Sequence, residues 1–304
     1  MSELWKFFTR EETDRQYNPT LWTRRLPTDD LLPAHIDFTT SRSDTYRERM
    51  RDSMQTLAFG ENEYEGEMDV FRPDGVSDDA PIVIYIHGGW WQWFSKEQFS
   101  FLAEPFNQRG MAVYMPGYRM AQDWDNDKPM ESIVKQMEYA VAAVLQEACD
   151  KGAPAVYLMG HSAGGHLVTM LWQTDWSGYD LPDGAEDKIK AVFSLAGLFD
   201  IRFLLDSFIN DEIKMSPESA AAVSPQLLPT PEGDLCPLHL ILPEHDTAEF
   251  FRQTKEYQDK LLGEGHTCHL HVLHNKDHLT IIEHLVNDGD EHLSYILRHM
   301  KRSA

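Results

Sequence analysis

A serine flanked by glycines is the first feature of this sequence that could perform chemistry. The segment Gly160-His161-Ser162-Ala163-Gly164 has the pattern G-x-S-x-G, follows the apolar run 155–159 and precedes a helical pattern. A sharp turn from a strand into a helix holds such a serine hydroxyl above the strand ends. The amide of the next residue then lies at the positive end of the helix. We therefore predict Ser162 as a nucleophile and Ala163 as an amide donor to an oxyanion.

A glycine pair follows an earlier apolar run, residues 82–86, in the segment His87-Gly88-Gly89. Acyl transfer needs backbone amides that point at the oxygen which becomes negative, and glycine lets the main chain approach that oxygen. We therefore predict that Gly88 and Gly89 complete an oxyanion hole with Ala163. The alternative is a glycine turn that only ends a strand.

Two tryptophans, Trp90 and Trp91, come directly after this glycine pair. Core packing is the commoner fate of a tryptophan side chain. Their position beside the predicted oxyanion hole nevertheless favours a role in the substrate pocket, and we predict both as pocket residues.

A serine nucleophile needs a base and an orienting carboxylate, and two later loops supply candidates. The apolar run 238–242 is followed by Pro243-Glu-His-Asp246, and the run 268–273 is followed by His274-Asn-Lys-Asp-His278. With the order serine, acid, histidine, we predict Asp246 as the acid and His278 as the base. The rivals are Glu244 and Asp277 for the acid and His274 for the base.

Histidines around the last predicted strand offer a competing chemistry, because imidazoles at i and i+2 share one strand face and could bind a metal. They are His266, His269, His271 and His274. The same alternation fits the polar face of a half-exposed strand, and no H-E-x-x-H or paired-cysteine motif accompanies it. Since no glycine-rich nucleotide loop occurs either, we expect neither a metal nor another cofactor.

The elements that must position these residues are short apolar runs that alternate with helical patterns. Such alternation predicts an α/β fold with a mainly parallel central sheet and helices on both faces. We predict one domain over residues 1–304. Residues 1–60 would form an N-terminal covering segment, and residues 199–228 are a candidate cap insertion that interrupts the alternation.

Charge and cysteine content restrict the partners. The chain has 304 residues, 50 of them acidic and 27 basic, for a net charge of −23. Without basic clusters we expect no nucleic-acid partner and no binding to anionic membranes. No apolar run approaches the ~20 residues of a membrane span, and no leader segment is visible. The three cysteines form no close pair, which is typical of a cytoplasmic protein.

Together these segments resemble the kynurenine formamidase (arylformamidase) branch of the α/β-hydrolases. That family carries H-G-G-x-W, matched at His87–Trp91, and G-H-S-A-G, matched at Gly160–Gly164. Residues Tyr17–Trp22 and the surroundings of Asp246 and His278 are also similar to it. The resemblance implies an α/β-hydrolase fold, the triad Ser162, Asp246 and His278, and an aryl formamide as the small-molecule substrate.

Several properties stay open at this stage. A broad carboxylesterase, or an aryl amide or carbamate hydrolase, would use the same triad, and a homodimer is an open alternative to a monomer. The loop 118–129 departs from the family pattern and carries extra acid. We expect it near the nucleophile, where a negative entrance would favour a neutral or zwitterionic substrate over an anionic one.

Overall fold

The computed structural model describes residues 4–303, so residues 1–3 and 304 of the predicted domain lie outside it. Within that range the chain forms a sheet of eight strands in the order β1-β2-β4-β3-β5-β6-β7-β8. The strands are β1 (Met54–Phe59), β2 (Gly66–Phe71), β3 (Ile82–Ile86), β4 (Ala112–Pro116), β5 (Val156–His161), β6 (Ile189–Leu195), β7 (Leu238–His245) and β8 (Cys268–Asp277). The strands from β3 to β8 are parallel, which confirms the predicted mainly parallel sheet.

Helices cover both faces of this sheet. They are α1 (Arg10–Gln16), α2 (Thr28–Arg49), α3 (Glu104–Asn107), α4 (Pro129–Lys151), α5 (Ala163–Trp172), α6 (Asn210–Ile213), α7 (Pro217–Ala222), α8 (Ala248–Gly263), α9 (Thr280–Glu283) and α10 (Glu291–Ser303). None of the described helices is long and apolar enough to cross a membrane.

The central strands are buried on both sides because their residues alternate between two apolar cores. In β3, Ile84 packs in the core that also contains α4, α5 and α8, whereas Val83 and Tyr85 pack in the opposite core with α10. Every residue of β3, β4 and β5 is buried. This explains why these strands are nearly continuous apolar runs, as a parallel sheet covered by helices requires.

The N-terminal segment contains both helices and a strand. It contains α1, the 22-residue helix α2 and the edge strand β1. The pairs β1–β2 and β2–β4 are antiparallel, so this edge differs from the parallel remainder. Tyr17 is fully buried, and its hydroxyl accepts a hydrogen bond of 2.6 Å from Gln253 of α8. The segment is therefore attached to the layers of the sheet.

Between β3 and β4, residues Lys96–Ala103 form a 3₁₀-helix, which is followed by the short α3. It buries Phe99, Phe101 and Leu102 against the underlying layer. Its backbone is also tied to α2, because the Phe101 amide donates to Ser43 Oγ at 3.3 Å. The 3₁₀-helix is therefore fixed between the underlying core and α2.

Candidate active site

Ser162 occupies a sharp turn between β5 and α5. Its backbone has φ 55° and ψ −117°, a conformation that side-chain-bearing residues rarely adopt. The turn also brings α5 against β3. A Cβ on Gly164 would lie 2.0 Å from the carbonyl oxygen of Ile86, so only glycine fits there. The G-x-S-x-G pattern therefore reflects close backbone contact around Ser162.

His278 and Asp246 form a buried hydrogen-bonded pair beside this turn. Nδ1 of His278 lies 2.8 Å from Oδ2 of Asp246. The other carboxylate oxygen accepts the amide hydrogen of Thr247 at 2.8 Å. Since Asp246 follows the end of β7 and His278 follows β8, the parallel strands deliver both residues to one edge of the sheet. With Nδ1 bonded to the carboxylate, Nε2 of His278 remains for proton transfer.

The rival acids and base lie in other environments. Glu244 and His274 are largely solvent-exposed, and the Glu244 carboxylate accepts the amide of Asn275 at 2.9 Å. Asp277 is buried, but it accepts the amides of Leu279 and Thr280 at the start of α9. Of the candidate acids, the structure therefore places Asp246 in contact with His278.

His161, the residue before Ser162, supports the His278 loop. Its Nε2 lies 2.8 Å from the carbonyl oxygen of His278, to which it donates. Burial, together with the neighbouring His278 and His35, holds the pKa of His161 well below its usual value. A neutral His161 is therefore a fixed hydrogen-bond donor to the loop.

The predicted oxyanion residues surround Ser162. Gly88 packs so closely that a Cβ there would lie 3.1 Å from Cβ of Ser162, and Gly89 lines the adjoining cavity. In the described part of the chain, no acceptor binds the backbone amides of Gly88, Gly89 or Ala163. These three donors remain available for an oxygen that becomes negative during acyl transfer.

His87 fixes the strand end that carries these glycines. Its ring stacks on Tyr118 with centroids 4.3 Å apart, and its Nδ1 lies 2.8 Å from the Gly88 carbonyl oxygen. Burial lowers the pKa of His87 to about 4. The neutral imidazole therefore donates to Gly88 and stabilises the turn.

A cavity of about 370 Å³ opens above Ser162, within the range of small-molecule sites. Trp90 lines this cavity. The prediction for Trp91 is wrong, because that side chain is fully buried and packs edge-on against His166 with ring centroids 5.0 Å apart. Both tryptophans have left-handed backbone conformations, so the chain turns sharply between them. The turn sends one indole to the cavity and the other into the core.

The N-terminal segment forms much of the cavity wall, a role that no motif in its sequence predicts. Its contribution consists of Asn18, Pro19, Thr20, Thr28, Asp29, Leu32, Pro33 and His35. The buried positions of α2 are Leu31, His35, Thr39, Ser43 and Tyr46. Their spacing of three to four residues places them on one face of the helix. Because most of these side chains are polar, this buried face has no apolar periodicity that would predict it.

Two loops contribute less to this cavity than expected. The candidate cap insertion 199–228 supplies only Phe208, and the acidic loop 118–129 supplies no lining residue. That loop instead borders separate surface depressions around Asn126 and Glu131. The expected negative entrance at 118–129 is therefore wrong, because the acidic residues of that loop do not line the cavity.

The histidines considered as metal ligands pack among aromatic rings. The His269 ring lies 4.9 Å from that of His239, and His271 stacks on Tyr295 at 4.2 Å. Among the described residues, no group of three or more potential ligands is placed to hold a metal ion.

Comparisons with known proteins agree with this geometry. Residues 68–228 match the BD-FAE family model. A kynurenine formamidase of Salmo salar is 35% identical over 97% of this chain and 98% of its own length. The enzyme of the same name from Danio rerio is also 35% identical, over 94% of both chains.

This chain belongs to the kynurenine formamidase family. The resemblance predicted from its motifs is thereby confirmed. Among solved structures, a protein from a Silicibacter species superimposes with a TM-score of 0.77 over 94% of this chain and 99% of its own, at 24% identity. An esterase of Pyrobaculum calidifontis superimposes with a TM-score of 0.68 over 90% of this chain and 94% of its own, at 17% identity. These two likenesses establish the α/β-hydrolase fold.

Proposed function

We propose that this protein is a serine hydrolase that cleaves the formamide C–N bond of N-formylkynurenine, releasing kynurenine and formate. Ser162, Asp246 and His278 would act as the triad. The observation that carries the proposal is that Ser162 and His278 line one cavity while His278 is hydrogen-bonded to Asp246. Membership of the kynurenine formamidase family supports the choice of bond.

In the first half-reaction, Ser162 Oγ attacks the formyl carbon and its proton passes to Nε2 of His278. Asp246 keeps Nδ1 protonated and stabilises the imidazolium that forms. The negative oxygen of the tetrahedral intermediate accepts hydrogen bonds from the amides of Gly88 or Gly89 and Ala163. Each such donor contributes about 2.7–4 kcal/mol of transition-state stabilisation in related chemistry.

Collapse of this intermediate breaks the C–N bond, and His278 returns the proton to the departing aryl nitrogen. The aryl amine leaves, and the formyl group remains as an ester on Ser162. Water then attacks the ester while His278 accepts one of its protons. Formate leaves, and the proton returns to Ser162 Oγ, so the enzyme is restored without a cofactor.

The cavity supports an aromatic substrate. Aromatic side chains form much of its wall, among them Trp90, Trp93, Phe94, Phe99 and Phe208. An aromatic amine is also a better leaving group than an alkyl amine, because the ring delocalises its nitrogen lone pair. An aryl ring held against this wall would place its formamide over Ser162.

A promiscuous carboxylesterase is the second candidate, since the same triad and apolar wall would accept aryl esters. The test compares kcat/KM for N-formylkynurenine with that for phenyl acetate and for the N-acetyl analogue of the same aryl amine. We expect the formamide to be preferred by a factor of about 10³ or more, a difference of about 4 kcal/mol in transition-state binding. Equal or higher values for phenyl acetate would instead assign the protein as an esterase.

We also propose a cytoplasmic location. Cys149, Cys236 and Cys268 are all free thiols in the structure. Reduced cysteines are typical of the cytosol. Fluorescence microscopy of a tagged chain in its native cell would test the location, and a signal confined to a secretory compartment would contradict it.

A further inference from the structure

The cavity contains a second histidine–carboxylate pair that the proposed mechanism does not use. His35 of α2 lines the cavity, and its Nδ1 lies 2.7 Å from Oε1 of Glu283 in α9. Both side chains are almost completely buried. The same carboxylate oxygen accepts Nη2 of Arg25 at 2.8 Å. The pair is therefore a buried part of the cavity wall that hydrogen bonds hold in place.

The hydrogen bond to Glu283 determines which nitrogen of the His35 ring donates and which one can accept. Burial raises the pKa of Glu283, but the hydrogen bonds from His35 and Arg25 and the positive charge of Arg25 outweigh this effect and leave the pKa lowered. An ionised carboxylate only accepts, so Nδ1 of His35 must donate to it. In a neutral imidazole the other nitrogen, Nε2, is then an acceptor. The hydrogen bond of the His35 ring to the described residues is the one at Nδ1, which leaves Nε2 for a ligand in the cavity.

The charge on the cavity wall favours a cation as the missing donor. The described lining residues include no lysine or arginine. Their one acidic side chain is that of Asp29. Asp29 lies in the first turn of α2 and is solvent-exposed, whereas His35 lies about 9 Å further along the helix axis, from the rise of 1.5 Å per residue. The entrance thus attracts positive charge, and the interior offers it a hydrogen-bond acceptor.

We infer that Nε2 of His35 accepts a hydrogen bond from the ammonium group on the side chain of the aryl substrate, with Asp29 contributing negative charge at the entrance. This inference rests on the proposed function, because it assigns the amino-acid end of the same substrate. His35 would act as a specificity-determining residue that selects zwitterionic aryl formamides over those without an amine.

The test measures kcat/KM on two substrates, N-formylkynurenine and its deamino analogue, in which hydrogen replaces the ammonium group. In the wild type, we expect loss of the ammonium to lower kcat/KM about tenfold or more, as for a hydrogen bond to a charged group. His35→Asn retains an N–H where Nδ1 donates to Glu283 but lacks the Nε2 acceptor. The preference for the amine substrate should fall about tenfold in this variant.

Three further variants complete the design. His35→Gln places an amide oxygen where Nε2 lies, and it should keep more of the amine preference than His35→Asn. Asp29→Asn should raise KM for N-formylkynurenine about two- to threefold at low salt, with little effect on the deamino analogue. Asp30→Asn is its matched control, because Asp30 is exposed beside Asp29 but does not line the cavity.

The outcomes separate the two proposals. If the wild type cleaves neither formamide, the proposed function is wrong, and this inference is wrong with it. If the wild type cleaves both substrates with equal kcat/KM, the function stands and the ammonium site is overturned. Equal losses on both substrates in folded His35→Asn, checked by thermal unfolding, would overturn it as well, because they indicate a purely structural role.

Discussion

Arg25 joins the N-terminal segment to the loop that carries His278, and its replacement should weaken both stability and catalysis. Its Nε lies 3.0 Å from Oδ2 of Asp277, the residue before His278, and its Nη2 lies 2.8 Å from Glu283. Both carboxylates are nearly buried, whereas the Arg25 side chain is 30% exposed. We therefore choose Arg25→Met, which keeps a long apolar stem but removes the charge.

The structure sets the size of this effect. A hydrogen bond to a charged group contributes about 1.5–3 kcal/mol, and Arg25→Met removes two of them. The remaining bonds limit the loss, since Asp277 still accepts two amides and Glu283 still accepts from His35. We expect the free energy of unfolding to fall by about 2–4 kcal/mol. Displacement of the His278 loop should lower kcat about tenfold or more.

Urea unfolding and steady-state kinetics on N-formylkynurenine measure these two quantities. Arg24→Met is the matched control, because Arg24 is the exposed neighbour and has no ion pair in the described structure. It should change the unfolding free energy by less than about 0.5 kcal/mol. If Arg25→Met matched this control in stability and in kcat, the account of how the N-terminal segment holds the His278 loop would be refuted.

Three further predictions concern other residues. Burial lowers the pKa of His87 and of His166 to about 4. Below the ordinary histidine pKa of 6.5, the unfolded chain therefore binds more protons than the folded chain does. Stability should therefore be complete above pH 6.5 and fall by about 2 kcal/mol per histidine at pH 5, as measured by urea unfolding; an unchanged midpoint would contradict this. Gly164→Ala should cost about 3 kcal/mol or more, because its Cβ would lie 2.0 Å from Ile86 O; wild-type thermal stability would contradict the tight turn. Trp91→Phe should lower thermal stability without changing KM, because Trp91 is buried in the core; a raised KM would indicate that Trp91 contacts the substrate.

The parts of this protein that were predictable from sequence are those with a local signal. Apolar runs marked the six parallel strands because both faces of the sheet are covered by helices. The glycines around Ser162 marked the strained turn, because their spacing reflects backbone contacts within a few residues and with β3. The pair His278–Asp246 followed from strand order, since parallel strands end at the same edge.

The remainder depends on contacts between distant segments. His35 joins the cavity only because α2 packs beside the 3₁₀-helix and α9, and its helix face is polar. Trp90 and Trp91 are adjacent and chemically identical, but left-handed backbone angles send them to different places. The acidic loop 118–129 was expected at the cavity entrance, but the N-terminal segment lines the cavity and that loop does not. No local pattern distinguishes these alternatives.

The central claim is that Ser162 is the nucleophile, and its most direct test is the turnover of N-formylkynurenine by the variant Ser162→Ala. The assay monitors the rise in absorbance as kynurenine forms. Removing a triad nucleophile leaves only binding and the oxyanion donors to assist the reaction. We predict that kcat falls by about 10³-fold or more while thermal unfolding remains near that of the wild type. A folded Ser162→Ala variant that retains kcat within about tenfold of the wild type would contradict the assignment of Ser162 as the nucleophile.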